Sequence, residues 1–260
     1  MGDISRSDLD DLCLAKELLA NPGLAAKISN LLGMPLEKGF ALLPAKWAES
    51  VQEATRASLR TALNFAVKTL ADKPARPSSE WLHKMIVAAD GAAAGAFGLP
   101  ALLVEMPITT TIMLRSIADI ARSEGEGIKD IGTRLACLEV FAFGGKSSLE
   151  DAAETGYFTV RVALAGAIGD AAKYIAERGL AEEGAPVLVR LIASIASRFG
   201  VLVSEKMAAQ AVPVIGAAGG ALINTLFMNH FQDMARGHFI VRRLERRYDA
   251  ESVRAMYERL

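Results

Sequence analysis

The chain has 260 residues, 52% of them hydrophobic, with 29 Lys and Arg set against 30 Asp and Glu. A chain of this length can bury a core without disulfides or metals, and its balanced charge excludes the strong basic excess of a general nucleic-acid binder. Its two cysteines, Cys13 and Cys137, form no spacing motif, which fits a reducing, cytosolic compartment.

The first residues, MGDISRSDLDD, are acidic and polar, without the basic stretch and apolar run of a secretory signal. Beyond them apolar residues recur at helical spacing, Ala, Leu, Glu, Arg and Lys are frequent, and no run alternates at period two. The expected fold class is therefore all-α: a multi-helix bundle with two central apolar Gly/Ala-rich helical segments and no significant β-sheet. Residues 7–32 read as one or two short amphipathic helices broken at Asn21-Pro22-Gly23, residues 33–44 as a turn-rich connector and residues 47–70 as a long helix. The stretch DKPARPSS at 72–79 is the clearest loop. It separates an N-terminal helical segment, residues 1–80, from the main body it is expected to pack on, residues 81–260.

Two segments of that body are unusual. Residues 85–114, MIVAADGAAAGAFGLPALLVEMPITTTIML, hold only Asp90 and Glu105 as charges. Pro100 and Pro107 argue against one continuous straight helix, because each removes a backbone donor and crowds the preceding turn. The prediction is a helix to about Gly98, a short bridge, and a second helix from near Pro107. Residues 207–232, MAAQAVPVIGAAGGALINTLFMNHFQ, carry no Asp, Glu, Lys or Arg, and Pro213 interrupts them near the start. Between these segments lie three predicted amphipathic helices, at 127–143, 148–178 and 186–199. The second is capped by Ser147 and Ser148. A charged helix then runs to Tyr248, followed by a turn at Asp249 and a short helix over 250–260.

Residues 207–232 are long enough to span a bilayer. Gln210, Asn224, Asn229, His230 and the Ala/Gly content favour a buried bundle helix instead, with an interfacial or spanning segment as the alternatives. Gly91 with Gly95, and Gly216 with Gly220, place small residues four apart on one helix face, which supports packing of the two segments on each other.

His83, His230, His238 and the cysteines have no metal-ligand spacing, so neither a metal nor a cofactor is expected. Gly145-Lys146-Ser147 fails as a phosphate loop, since Val140 stands where its first glycine belongs; a helix stop at Gly144-Gly145 is the simpler reading. Glu105 in LLVEMP must be paired, hydrogen-bonded or protonated if buried. Either it satisfies helix-end amides freed around Pro107, or it lines a polar spot in an apolar cavity, with Asp90, Arg115 and Asn224 as further candidate ligand contacts. Asp119, four residues after Arg115, is that arginine's expected mate. Glu154, Tyr157 and Arg161 share a helical face, close in sequence to Glu139 and Lys146, and read as an internal ion-pair network, with a polar pocket as the alternative. Arg242, Arg243, Arg246 and Arg247, interleaved with Phe239, Leu244 and Tyr248, are candidate contacts to an anionic membrane surface. A solvated, salt-bridged face is the competing reading.

Three segments carry a resemblance: GAAAGAFGLPALLVEMPITTTIMLRSIADIA, LEVFAFGGKSSLEDAAETGYFTVRVAL and VPVIGAAGGALINTLFMNHFQDMARGHFIVRRLERRY. They resemble the signature segments of the EcsC family, over about residues 81–260. The resemblance implies a helical bacterial protein that is cytoplasmic or peripheral at the inner face of the membrane, since the founding member is encoded beside an ABC transporter. It brings no catalytic motif. The expected function is a non-catalytic helical module that associates with membranes, through an anionic surface, or binds a lipid-like apolar ligand. The alternatives are a protein–protein adaptor for a membrane transport complex and an enzyme using Glu105. Nucleic acid is not an expected partner.

Overall fold

A computed structural model of the chain describes residues 4–20, 23–45, 47–70, 99–145, 156–180, 184–212 and 216–260, with 99–104 and 216–218 as backbone alone. Among the described residues there are ten α-helices and no strand. In chain order they are α1 (Arg6–Ala20), α2 (Leu24–Leu32), the one-turn α3 (Glu37–Phe40), α4 (Trp47–Thr69), α5 (Leu99–Ser123), α6 (Ile131–Glu139), α7 (Gly156–Arg178), α8 (Pro186–Gln210), α9 (Gly216–Arg247) and α10 (Ala250–Arg259).

Local chemistry explains several boundaries. Asp130 caps α6 by accepting from the Thr133 N–H at 2.8 Å, so the helix starts at Ile131 and not at 127. A 3₁₀ turn, Val140–Ala142, follows α6, and Gly144 then takes φ 77°, the left-handed conformation that suits glycine. A Cβ at Gly144 would run into the His230 ring. The helix stop expected there is therefore present. Asp249 caps α10 by accepting from the Ser252 N–H at 2.7 Å.

Helix α9 is the axis of the molecule. α1 lies along it, α5 and α8 flank it, and α10 folds back onto its end. α4 packs across α5 and α8, while α7 packs against α8 and α6. Gly237 permits the α1 contact: a Cβ there would lie 2.7 Å from Leu19 Cγ and 3.0 Å from the Ala15 carbonyl. The centre is aromatic, with Phe141, Phe199, Phe227 and Phe231 fully buried and neighbouring centroids 4.9–6.2 Å apart.

Two expectations need correction. First, α5 runs unbroken through Pro107. Pro100 is the second residue of the helix as described. At Pro107 one intrahelical bond is lost, a cost of roughly 3 kcal/mol, yet the turn is held. Thr110 and Thr111 donate their hydroxyls to the Met106 and Pro107 carbonyls at 2.7 and 2.8 Å, and α4 and α9 pack along the helix. Second, residues 207–232 are not one helix. Met207–Gln210 ends α8, the chain turns at Ala211, and residues 216–232 belong to α9. α8 is thus longer than the predicted 186–199, and the apolar and charged C-terminal segments form one 32-residue helix. Asp90, Gly91, Gly95, Lys146, Glu154, the 72–79 loop and the Ser147–Ser148 cap lie outside the described residues.

Candidate functional site

Glu105 sits on α5 with 4% of its surface exposed, inside a polar centre that three helices build. Its Oε1 accepts from Lys206 Nζ of α8 at 2.8 Å, from Asn224 Nδ2 of α9 at 2.8 Å, and from Thr109 Oγ1 at 3.0 Å. Lys206 is fully buried, and its ammonium also lies 5.3 Å from the Phe227 ring centroid. Of the four candidate ligand contacts, Glu105 and Asn224 therefore meet. Arg115 is half-buried ten residues further along α5 and does not join them. Its expected mate, Asp119, pairs with Arg122 at 2.5 Å instead. The i,i+3 spacing allows this, and Arg122 also donates to the Leu70 carbonyl at 2.8 Å, tying α5 to α4. Nor does Glu105 serve helix-end amides around Pro107. Its partners are side chains, and Lys206, the partner missing from the sequence reading, stands one residue before the uncharged run 207–232.

A second buried cluster joins α6, α7 and α9. The Tyr157 hydroxyl and His238 Nδ1 are 2.9 Å apart, and His238 Nε2 is 3.8 Å from Glu139 Oε2. Burial pushes the Glu139 carboxyl up to about 7 and holds His238 well below its ordinary value. His238 is therefore neutral near pH 7, so its contact with Glu139 is not an ion pair, while Glu139 itself titrates in that range. Arg161, beside them, makes a two-point bond to Glu245 of α9 at 2.6 and 3.0 Å. Of the residues expected to form a network here, Tyr157, Arg161 and Glu139 gather, the charge partner of Arg161 is Glu245, and Glu154 and Lys146 lie outside the described residues. His230 is also buried, and burial lowers it to about 4.

The four C-terminal arginines each face a carboxylate. Arg242 bonds Glu126 at 2.8 Å, and Arg246 bonds Glu126 as well. Arg243 reaches Asp11 at 2.6 Å and Glu124 at 2.9 Å, and Arg247 reaches Asp8 at 3.0 Å. Burial raises the Glu126 carboxyl, but hydrogen bonds and charge from Arg242 outweigh it and hold the group below its ordinary value. Four arginines meet four acids, so this face carries little net positive charge.

The contrasting surface is the hairpin of α7 and α8. From Gly156 to Gly169 the only charged side chain of α7 is Arg161, and it points inward to Glu245. Val162, Ala163, Ala165, Gly166 and Gly169 are exposed, Val162 by 66%. α8 adds Val189, exposed by 41%, with Ala193 and Ser197. Over 18 of its residues α8 is apolar enough, and long enough, to cross a membrane, yet only 44% of that stretch is buried.

The geometry defines an all-α bundle with a sealed ionic centre and an apolar helical hairpin on its outside. The chain belongs to the EcsC protein family, whose family model matches residues 15–244. That match begins inside α1, well before residue 81, and takes in α2 to α4. No curated protein and no solved structure matches the chain.

Proposed function

We propose that this protein is a non-catalytic module that lies on the lipid surface of a membrane, at its inner face, with the α7–α8 hairpin turned toward the acyl chains. One observation carries the reading: the exposed, uncharged face of α7 over residues 156–169, where the one charged side chain, Arg161, is turned inward. Isolated exposed apolar residues are ordinary, but a continuous apolar helix face on a folded chain marks an interaction surface. A helix lying in the interface buries its apolar face about 5–10 Å deep. Glu105 is a poor catalytic group in this reading, because it is buried and its Oε1 is held by Lys206, Asn224 and Thr109.

Co-sedimentation with phosphatidylcholine vesicles and with vesicles containing anionic lipid tests the proposal. The expected result is binding to both, with at most a weak anionic preference, abolished by Val162→Asp without loss of the melting transition. No binding to either vesicle at low salt overturns it. Stable capture of a membrane protein by a chain that ignores vesicles would select the adaptor reading instead.

A further inference from the structure

A different part of the molecule holds a built cavity. Between α2, α3 and the C-terminal part of α8 lies a space of about 480 Å³, open on one side. Pockets for small organic ligands span about 300–1,000 Å³. Leu36, Phe40 and Val201 form apolar wall, while Ser204, Glu37 and Glu205 bring polar atoms. No Lys, Arg or His is among the residues that line it.

Glu205 is the distinctive group. It is half-buried on α8, and its carboxyl lies close to the Ala25 N–H in the first turn of α2, which favours its charged form. It thus lies at a helix end that Gly23 leaves without a side-chain cap. Burial raises the carboxyl to about 7, and no cation offsets it. A desolvated carboxylate without a countercharge is costly, and a ligand bearing one removes the cost. Phe40, on the same wall, packs against Trp47 with centroids 5.6 Å apart, so the pocket also offers an aromatic ring to a cation.

We propose that this cavity binds a small organic ammonium with a short apolar body, its charge held by Glu205 with Glu37 at the exposed rim. The site is independent of the membrane reading: it uses residues 201–205 of α8, whereas the exposed apolar positions of that helix lie at 189–197.

Calorimetric titration of the full chain with hexylammonium, against 1-hexanol as the uncharged match, tests it. Hexylammonium should bind saturably at one site and hexanol far more weakly. Glu205→Gln keeps an oxygen for the Ala25 N–H and should weaken ammonium binding about tenfold or more, leaving hexanol unchanged. Val201→Trp fills the cavity and should abolish binding. Equal affinity for amine and alcohol, unchanged amine affinity in Glu205→Gln, or no saturable binding overturns the proposal. Should Glu205→Gln fail to fold, the amine preference of the parent chain and its loss in Val201→Trp decide.

Discussion

Lys206 shows how much one buried charge can organise. Its ammonium has left water entirely, and its compensation is the Glu105 carboxylate 2.8 Å away. Breaking a buried pair from one side leaves the other charge stranded, at about 3–5 kcal/mol. Lys206→Met should therefore lower stability by that order in chemical denaturation. Adding Glu105→Leu should recover most of the loss, because an apolar pair carries no stranded charge. A double variant no more stable than the single would show that Glu105 has other support. Glu139 supplies a pH test. Its folded value of about 7 lies above its ordinary 4.5, so the folded state keeps a proton that the unfolded chain releases. Its protonated form supports the fold fully below about pH 4.5; the support shrinks as pH rises and is gone above 7, roughly 3 kcal/mol in all. His230 acts oppositely, losing stability as pH falls from 6.5 toward 4. The difference between Glu139→Gln and the parent isolates the first effect: the variant's relative melting temperature should rise from pH 5 to pH 8. A flat difference would mean that Glu139 is ionised in the fold.

At the scale of elements, Gly237 sets how closely α1 approaches α9. A methyl group there meets Leu19 and the Ala15 carbonyl, and the second contact is backbone that cannot rotate away. Gly237→Ala should cost about 1–3 kcal/mol and raise amide exchange in α1 before the rest of the molecule. Equal protection in both chains would contradict the close packing. The sequence did not expose this glycine, because Arg236-Gly237-His238 sits inside a charged helix and tight packing leaves no periodic mark. Other elements were legible. The break at 21–23, the long helix from Trp47, the turn at Asp249 and the final helix all follow from Pro, Gly and capping chemistry. The junction of α8 and α9 was legible in part, since the expected interruption at Pro213 stands beside the turn at Ala211. Absence of charge joined 207–232 into one segment, although composition says nothing of where a chain turns. The same window hid Lys206, which stands just before it. Glu105 and Asn224 were legible as polar points in apolar runs, but a pairing between residues 101 apart in sequence depends on which helices meet. Pro107 misled for a related reason: packing of α4 and α9 along the helix outweighed a local preference.

At the scale of the whole molecule, charge and apolar surface are segregated. The arginine-rich end of α9 is neutralised by Asp8, Asp11, Glu124 and Glu126, while α7 presents small apolar groups over residues 156–169, bordered by the exposed Asp170–Arg190 pair. Exposed ion pairs are screened over about 8–10 Å at ordinary salt, whereas burial of apolar area is not. Membrane association driven by the hairpin should therefore survive salt that would release a polybasic surface. The most direct measurement is vesicle binding at about 50 and 500 mM salt, for the parent chain, Val162→Asp, and a chain with Arg246 and Arg247 changed to Gln. The account predicts binding that salt barely changes, that the arginine substitutions spare, and that Val162→Asp removes. Binding lost at high salt or with the arginines, and kept in Val162→Asp, would contradict it.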